Sequence, residues 1–262
     1  MKLHLFARDG LTARAEELGI DAVVVDLERR GKSRRQAGAD THITAHTLAD
    51  LEQIRRTTPV PIVCRIDAIG SETELQVKHV VAAGADQILV PMVRTVAEVQ
   101  HVVDVVAGEA TVAVMIETVE AVGLVGAFAT LPVERFYVGL NDLWIDRAGR
   151  NRFRPFVDGT LDTILATAGS RPVGVAGLTH PALGEPLPCH HLVNELVRLG
   201  CDYTFLRRSF YDALDHYPAA EVVSAIRAAV RAARDRSAAD RQRDHARARE
   251  AILALPAEAA AP

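Results

Sequence analysis

Residues 84–103 read GADQILVPMVRTVAEVQHVV, and they hold one structural period. Gly84-Ala85-Asp86 puts a glycine where a helix ends and a strand begins, the place for a left-handed cap. The run 87–92 is short, apolar and β-rich, and 96–106 carries helical periodicity. The same alternation runs outward in both directions. Strand-like runs fall at 2–7, 22–28, 61–66, 87–92, 111–117, 135–140, 172–177 and 203–208. Helical segments fall at 44–57, 72–83, 96–106, 120–131, 159–167 and 190–199; the first has Leu48, Leu51 and Ile54 at three-residue steps. Strands alternating with helices imply βαβ units and a parallel sheet. Runs such as VVVDL and QILVPM are almost continuously apolar, as strands covered on both faces are. Gly19-Ile20-Asp21 and Gly200-Cys201-Asp202 repeat the junction seen at Gly84. Eight units predict a closed (β/α)₈ barrel, and 262 residues fit one such domain.

The barrel is expected over 1–218 and an added C-terminal helical segment over 219–262. Residues 219–254 are rich in Ala and Arg and poor in Gly and Pro, which predicts a helix. The stretch RAAVRAARDRSAADRQRDHARARE has few large apolar residues. It reads equally as a solvated helix and as one that packs on a neighbouring subunit.

Apolar residues make up 49% of the chain, charged residues 24%, and the formal net charge is −4. That balance argues for an ordinary globular enzyme and against a nucleic-acid partner. No apolar stretch is long enough for a membrane span, and Met1 to Asp9 lacks the pattern of a signal peptide. Cys64, Cys189 and Cys201 are odd in number and follow no metal spacing, so a reduced, cytoplasmic setting is expected. Cys64, inside an apolar run, reads as a small core residue.

Barrel active sites lie at the C-terminal ends of the strands. A polar residue there is costly to bury and needs a reason. The second run ends in Asp26-Leu27-Glu28, the third in Arg65, and the fifth in Glu117. The sixth ends in Gly139-Leu140-Asn141-Asp142 and the eighth in Arg207-Arg208. Glu117 and Asp142 are the candidate ligands of a hard divalent cation, Mg²⁺ or Mn²⁺, with water filling other positions. The bland alternatives are a helix cap for Asp142 and a surface ion pair for either. Arg65 is a candidate carboxylate fork, or a structural partner of Asp26 or Glu28. The basic run 29–36 reads as a solvated loop or as a funnel for an anionic substrate. His42, His180, His190 and His191 form no strong metal spacing and read as surface or capping residues.

The segments GIDAVVVDLE, VCRID, GADQILVPMVRTVAEV, VMIETVEAV and VGLNDL, in this order across 18–142, resemble the HpcH/HpaI aldolase and citrate lyase β-subunit family. The resemblance implies a (β/α)₈ barrel, a homotrimer or homohexamer, and a C-terminal helix against a neighbour. It implies metal ligation by Glu117 and Asp142 and substrate binding by Arg65. Asp26 and Glu28 match the acidic motif after the second strand, and Lys32 and Arg35 fit its basic loop. Asn141 and Arg207 join the candidate substrate-binding residues, and Asp26, Glu28 and a metal-bound water are candidate proton carriers. The aldolase branch carries a histidine where Arg29 stands, and the usual proline of the sixth motif is Leu140 here. The expected activity is metal-dependent carbon–carbon cleavage or condensation of a small 2-keto acid or acyl substrate through an enolate. Rival expectations are lysis or hydrolysis of a CoA thioester, phosphoenolpyruvate-type chemistry with a phosphorylated substrate, and a non-catalytic metabolite-binding barrel.

Overall fold

The computed structural model describes residues 1–29, 46–149 and 151–257. Eight parallel strands close into a barrel in chain order: β1 (Lys2–Phe6), β2 (Ala22–Asp26), β3 (Ile62–Arg65), β4 (Gln87–Val90), β5 (Thr111–Ile116), β6 (Arg135–Val138), β7 (Val173–Gly177) and β8 (Tyr203–Leu206). β1 pairs with β8, Leu5 opposite Leu206, so no sheet edge is left for another chain to extend. The expected (β/α)₈ barrel is the observed one.

Helices fill the connections: α1 (Leu48–Thr57), α2 (Thr73–Ala82), α3 (Val96–Val106), α4 (Val119–Ala129), α5 (Leu140–Asp146), α6 (Thr160–Ala168), α7 (Cys189–Leu199) and α8 (Arg208–Ala213). Thr47 and Thr95 begin α1 and α3 with reciprocal capping boxes to Asp50 and Glu98. That cap starts α1 at Leu48, the first residue of its apolar pattern. After β1 there is only a 3₁₀ turn, Thr12–Arg14.

The C-terminal segment is two helices, not one. α9 (Ala219–Arg234) and α10 (Ala238–Ala254) are separated by Asp235–Ser237, and the Ser237 side chain accepts from the Asp240 N–H to start α10. Both pack against α7 of the same chain. α9 buries Val222, Val223, Ile226 and Val230, and α10 buries Ala248 and Ile252. Buried Glu195 on α7 faces His245 Nδ1 at 3.0 Å, which ties α10 to the barrel.

The barrel interior is filled, not hollow. Tyr137 stacks on Phe205 at 3.6 Å, and His4 stacks on Tyr203 at 4.7 Å. Cys64, Cys189 and Cys201 are buried free thiols. No helix among the described residues is long and apolar enough to cross a membrane.

Candidate active site

β5 is apolar along its length, so it buries itself and carries the next residue into the barrel mouth. Glu117 is 1% exposed there. The Met92 N–H, held by a left-handed backbone at φ 53°, donates to its Oε1 at 2.9 Å. Thr118 fixes the far side: its hydroxyl donates to the Val93 carbonyl at 2.7 Å and accepts from the Ala121 N–H at 3.1 Å. Gly139 lies so close that a Cβ there would sit 3.0 Å from the Glu117 Cβ and collide with its Oε2. Oε2 itself is buried with no hydrogen-bond partner.

β6 ends at Val138, and α5 begins at Leu140. Asn141 and Asp142 therefore lie in a helical first turn and not on a strand end as the sequence suggested. Asp142 is buried beside Glu117. Burial, then the charges of Asp142 and Glu28, push the Glu117 carboxyl up to about 8, against the pull of Arg65. Two adjacent buried carboxylates repel each other unless a proton or a cation lies between them.

Asp26 and Arg65 are cross-strand partners in register. Arg65 donates from Nε to Asp26 Oδ1 at 2.9 Å and from Nη2 to Oδ2 at 2.6 Å. Its Nη1 lies 3.2 Å from Glu28 Oε2 and 3.8 Å from the Met115 sulfur. Arg65 is 2% exposed; burial works against its charge, but Asp26 and Glu28 outweigh it and raise its pKa. The fork of Arg65 is thus spent on Asp26, which corrects the expectation that it grips a substrate carboxylate at two points. Its Nη1 side is turned to Glu28.

The other candidates separate. The side-chain oxygen of Asn141 accepts from Arg152 Nη1 at 2.8 Å, so that amide is turned to Arg152. Arg207, half-buried just before α8, lies 4.4 Å over the Phe6 ring. Burial, and next the charge of Arg65, lower its pKa. Lys32 and Arg35 lie outside the described residues. Arg29 donates to the His46 carbonyl at 2.9 Å, on the outer edge of the mouth.

Sequence reasoning missed three contributors. His46 accepts from the Asp26 N–H at its Nδ1, 3.1 Å away, bracing the end of β2. Met92 and Gly139 hold Glu117. Only Gly139 had a readable signal, since it immediately precedes the Leu-Asn-Asp turn after an apolar strand.

Glu117 and Asp142 fit a divalent, oxygen-preferring cation: both are acidic, adjacent and buried, and Glu117 has a buried oxygen with no hydrogen-bond partner among the described residues. Among the described residues no cluster of three or more His, Cys, Asp or Glu side chains is arranged to hold a metal. The pair therefore suits an ion that keeps water or substrate oxygens in its remaining positions.

A closed parallel barrel with acidic and arginine side chains converging on its C-terminal mouth defines a barrel enzyme of the carboxylate-site class. The chain belongs to the HpcH/HpaI aldolase/citrate lyase family, whose model matches residues 5–152. A lyase/aldolase activity comes with that membership. No curated protein matches the chain. Among solved structures it resembles an HpcH/HpaI aldolase/citrate lyase family protein from Burkholderia cenocepacia J2315, with 18% identity, TM-score 0.62, and 82% of this chain and 90% of that one covered. It resembles the citrate synthase SbnG at 17% identity and TM-score 0.61, covering 82% and 90%. It also resembles an HpcH/HpaI aldolase from Desulfitobacterium hafniense DCB-2 at 15% identity and TM-score 0.60, covering 83% and 93%. At these identities the likeness speaks for the shared barrel.

Proposed function

We propose that this protein is a divalent-metal-dependent carbon–carbon lyase that works on a small 2-keto acid through an enolate. The observation that carries this is the Glu117–Asp142 pair, buried and mutually repelling, with Glu117 Oε2 unpartnered. These two residues would hold Mg²⁺ or Mn²⁺, and a bound ion of this kind supplies Lewis-acid polarisation of a keto oxygen. Arg65, locked onto Asp26 and paired with Glu28, brings a fixed positive charge that favours negative charge developing nearby. Asp26 accepts from Arg65 at both oxygens and is held as an anion, a brace and not a base. Glu28, bound to Arg65 through one oxygen contact at 3.2 Å, is the better placed proton carrier of the two. In cleavage, the base takes the proton of the β-hydroxyl as the C–C bond breaks. The bond's electron pair passes into the enolate, and a proton then returns to its carbon.

The test is a substrate panel of oxaloacetate, pyruvate with aldehydes, and CoA thioesters, assayed with chelated protein and with Mg²⁺ or Mn²⁺ restored. Turnover of a 2-keto acid that vanishes on chelation, returns with metal and is lost in Glu117→Gln is the expected result. Metal-independent turnover, or metal binding that Glu117→Gln leaves intact, would overturn it.

A further inference from the structure

Among the described residues, Arg207 is a cation of the mouth without an ion pair. Arg65 answers to Asp26 and Glu28. Arg207 makes no ion pair or side-chain hydrogen bond with any described residue; its guanidinium lies over the Phe6 face. Phe6 ends β1, Arg207 follows β8, and β8 and β1 are neighbours in the closed barrel. Glu117 follows β5, three strands from β8 and four from β1, so it lies across the barrel from Arg207 and Phe6. Glu117 and Arg207 thus lie across the mouth from each other, and Asp142, after β6, lies between them, near enough for its charge to be felt by Arg207 without an ion pair. Opposite charges at the mouth of a low-dielectric barrel stay apart only when the geometry holds each to its own wall. Here Phe6 seats one, while Met92 and Gly139 seat the other.

We propose that Arg207 is a specificity-determining residue, the receptor for a second carboxylate of the substrate, so that the enzyme selects dicarboxylate over monocarboxylate oxo- or hydroxy-acids. This rests on the reading of the mouth as a 2-keto-acid site. The substrate's α-oxygens belong at the Glu117–Asp142 wall, and its far carboxylate spans to Arg207. Guanidinium geometry matches a carboxylate at two points, and among the described residues the fork of Arg207 has no partner where that of Arg65 is taken by Asp26. Stacking on Phe6 leaves the donor edge of the guanidinium available, because the ring occupies its face and not its N–H groups. The lowered pKa of Arg207, from burial and from Arg65, marks a desolvated cation that gains from an incoming anion.

Malate and lactate share the α-hydroxy acid and differ in the far carboxylate, and neither requires turnover to bind. Calorimetric titration of the full chain with Mg²⁺ present should give malate at least tenfold tighter than lactate. Arg207→Gln should bring the two within about twofold while leaving lactate affinity unchanged. Arg207→Lys, which keeps the charge and loses the fork, should fall between. Equal affinities in the wild type, no malate binding, or equal weakening of both acids by Arg207→Gln would overturn the proposal. A retained circular dichroism spectrum and melting temperature would show that Arg207→Gln folds. An Arg207-dependent malate preference in a protein that turns over no 2-keto acid would leave the receptor standing and sink the lyase reading instead.

Discussion

Arg65 has one role that the structure shows and one proposed for it, and a single substitution separates them. Its two bonds to Asp26 are internal to a fully buried pair, so removing the fork leaves Asp26 with fewer donors than its burial requires. Arg65→Lys keeps one charge and loses the planar two-point contact. The cost of an under-satisfied buried group is about 1–3 kcal/mol. At roughly 2–4 °C per kcal/mol for a chain of this size, a fall in melting temperature of several degrees is expected. If the Nη1 edge also stabilises the enolate, kcat and kcat/KM should drop together, by roughly 10²–10³ on the scale of one lost oxyanion donor. Calorimetric melting alongside steady-state kinetics decides between the roles. Lowered melting with intact turnover leaves Arg65 a brace alone, and wild-type values of both would sink either role.

Elements matter here because the site is assembled where strands hand over to helices. The handover from β6 to α5 brings Gly139 against Glu117. Its backbone, φ −85° and ψ 90°, is open to alanine, so Gly139→Ala adds no backbone strain and acts only by pushing on the carboxylate. The variant should fold and melt like the wild type while its Mg²⁺ affinity falls tenfold or more, about 1.4 kcal/mol. Unchanged titration curves would show that Glu117 is not where the ion binds. The eight strands were readable because each is a local apolar run between turn signals. α5 and α8 were not: helices of seven and six residues are too short to show a period. Asp26 and Arg65 were readable as possible partners, but their pairing is set by the register of β2 against β3. The freedom of Arg207 was invisible, since it depends on a contact with Phe6 some two hundred residues away. The break between α9 and α10 had an overlooked signal, a serine three residues before Asp240.

At the scale of the molecule, the packing of α9 and α10 on α7 removes one reason to expect assembly. A poorly apolar helix looked in need of a neighbouring subunit, yet it finds its partner within the chain. A trimer or hexamer is therefore proposed on the family resemblance alone, and light scattering that returns the monomer mass would end that proposal.

The end of the barrel opposite the site sets a different constraint, on how the whole fold responds to acid. His4 on β1 is 1% exposed, stacked on Tyr203, and its Nδ1 is buried with no hydrogen-bond partner. Burial first, and then the charge of Arg135, lower its pKa to about 3 from 6.5; Asp21 and Glu134 pull weakly the other way. Above pH 6.5 the ring is neutral in both folded and unfolded chains and contributes no slope. Between 6.5 and 3 the unfolded chain takes up a proton that the folded chain refuses, so stability falls by about 1.4 kcal/mol per pH unit. Below about 3 both states are protonated and the slope from this residue ends. His4→Phe keeps an aromatic ring for Tyr203 to stack on and cannot take up a proton. Carboxylates elsewhere give both proteins an acid slope, so the informative quantity is the difference between them. Urea unfolding at pH 7.5, 5.5 and 4.5 should show His4→Phe gaining on the wild type by roughly 1 kcal/mol at 5.5 and 2–3 kcal/mol at 4.5. Parallel stability curves across that range would mean that the folded ring takes up its proton near the same pH as the unfolded one, with the charge accommodated inside the barrel.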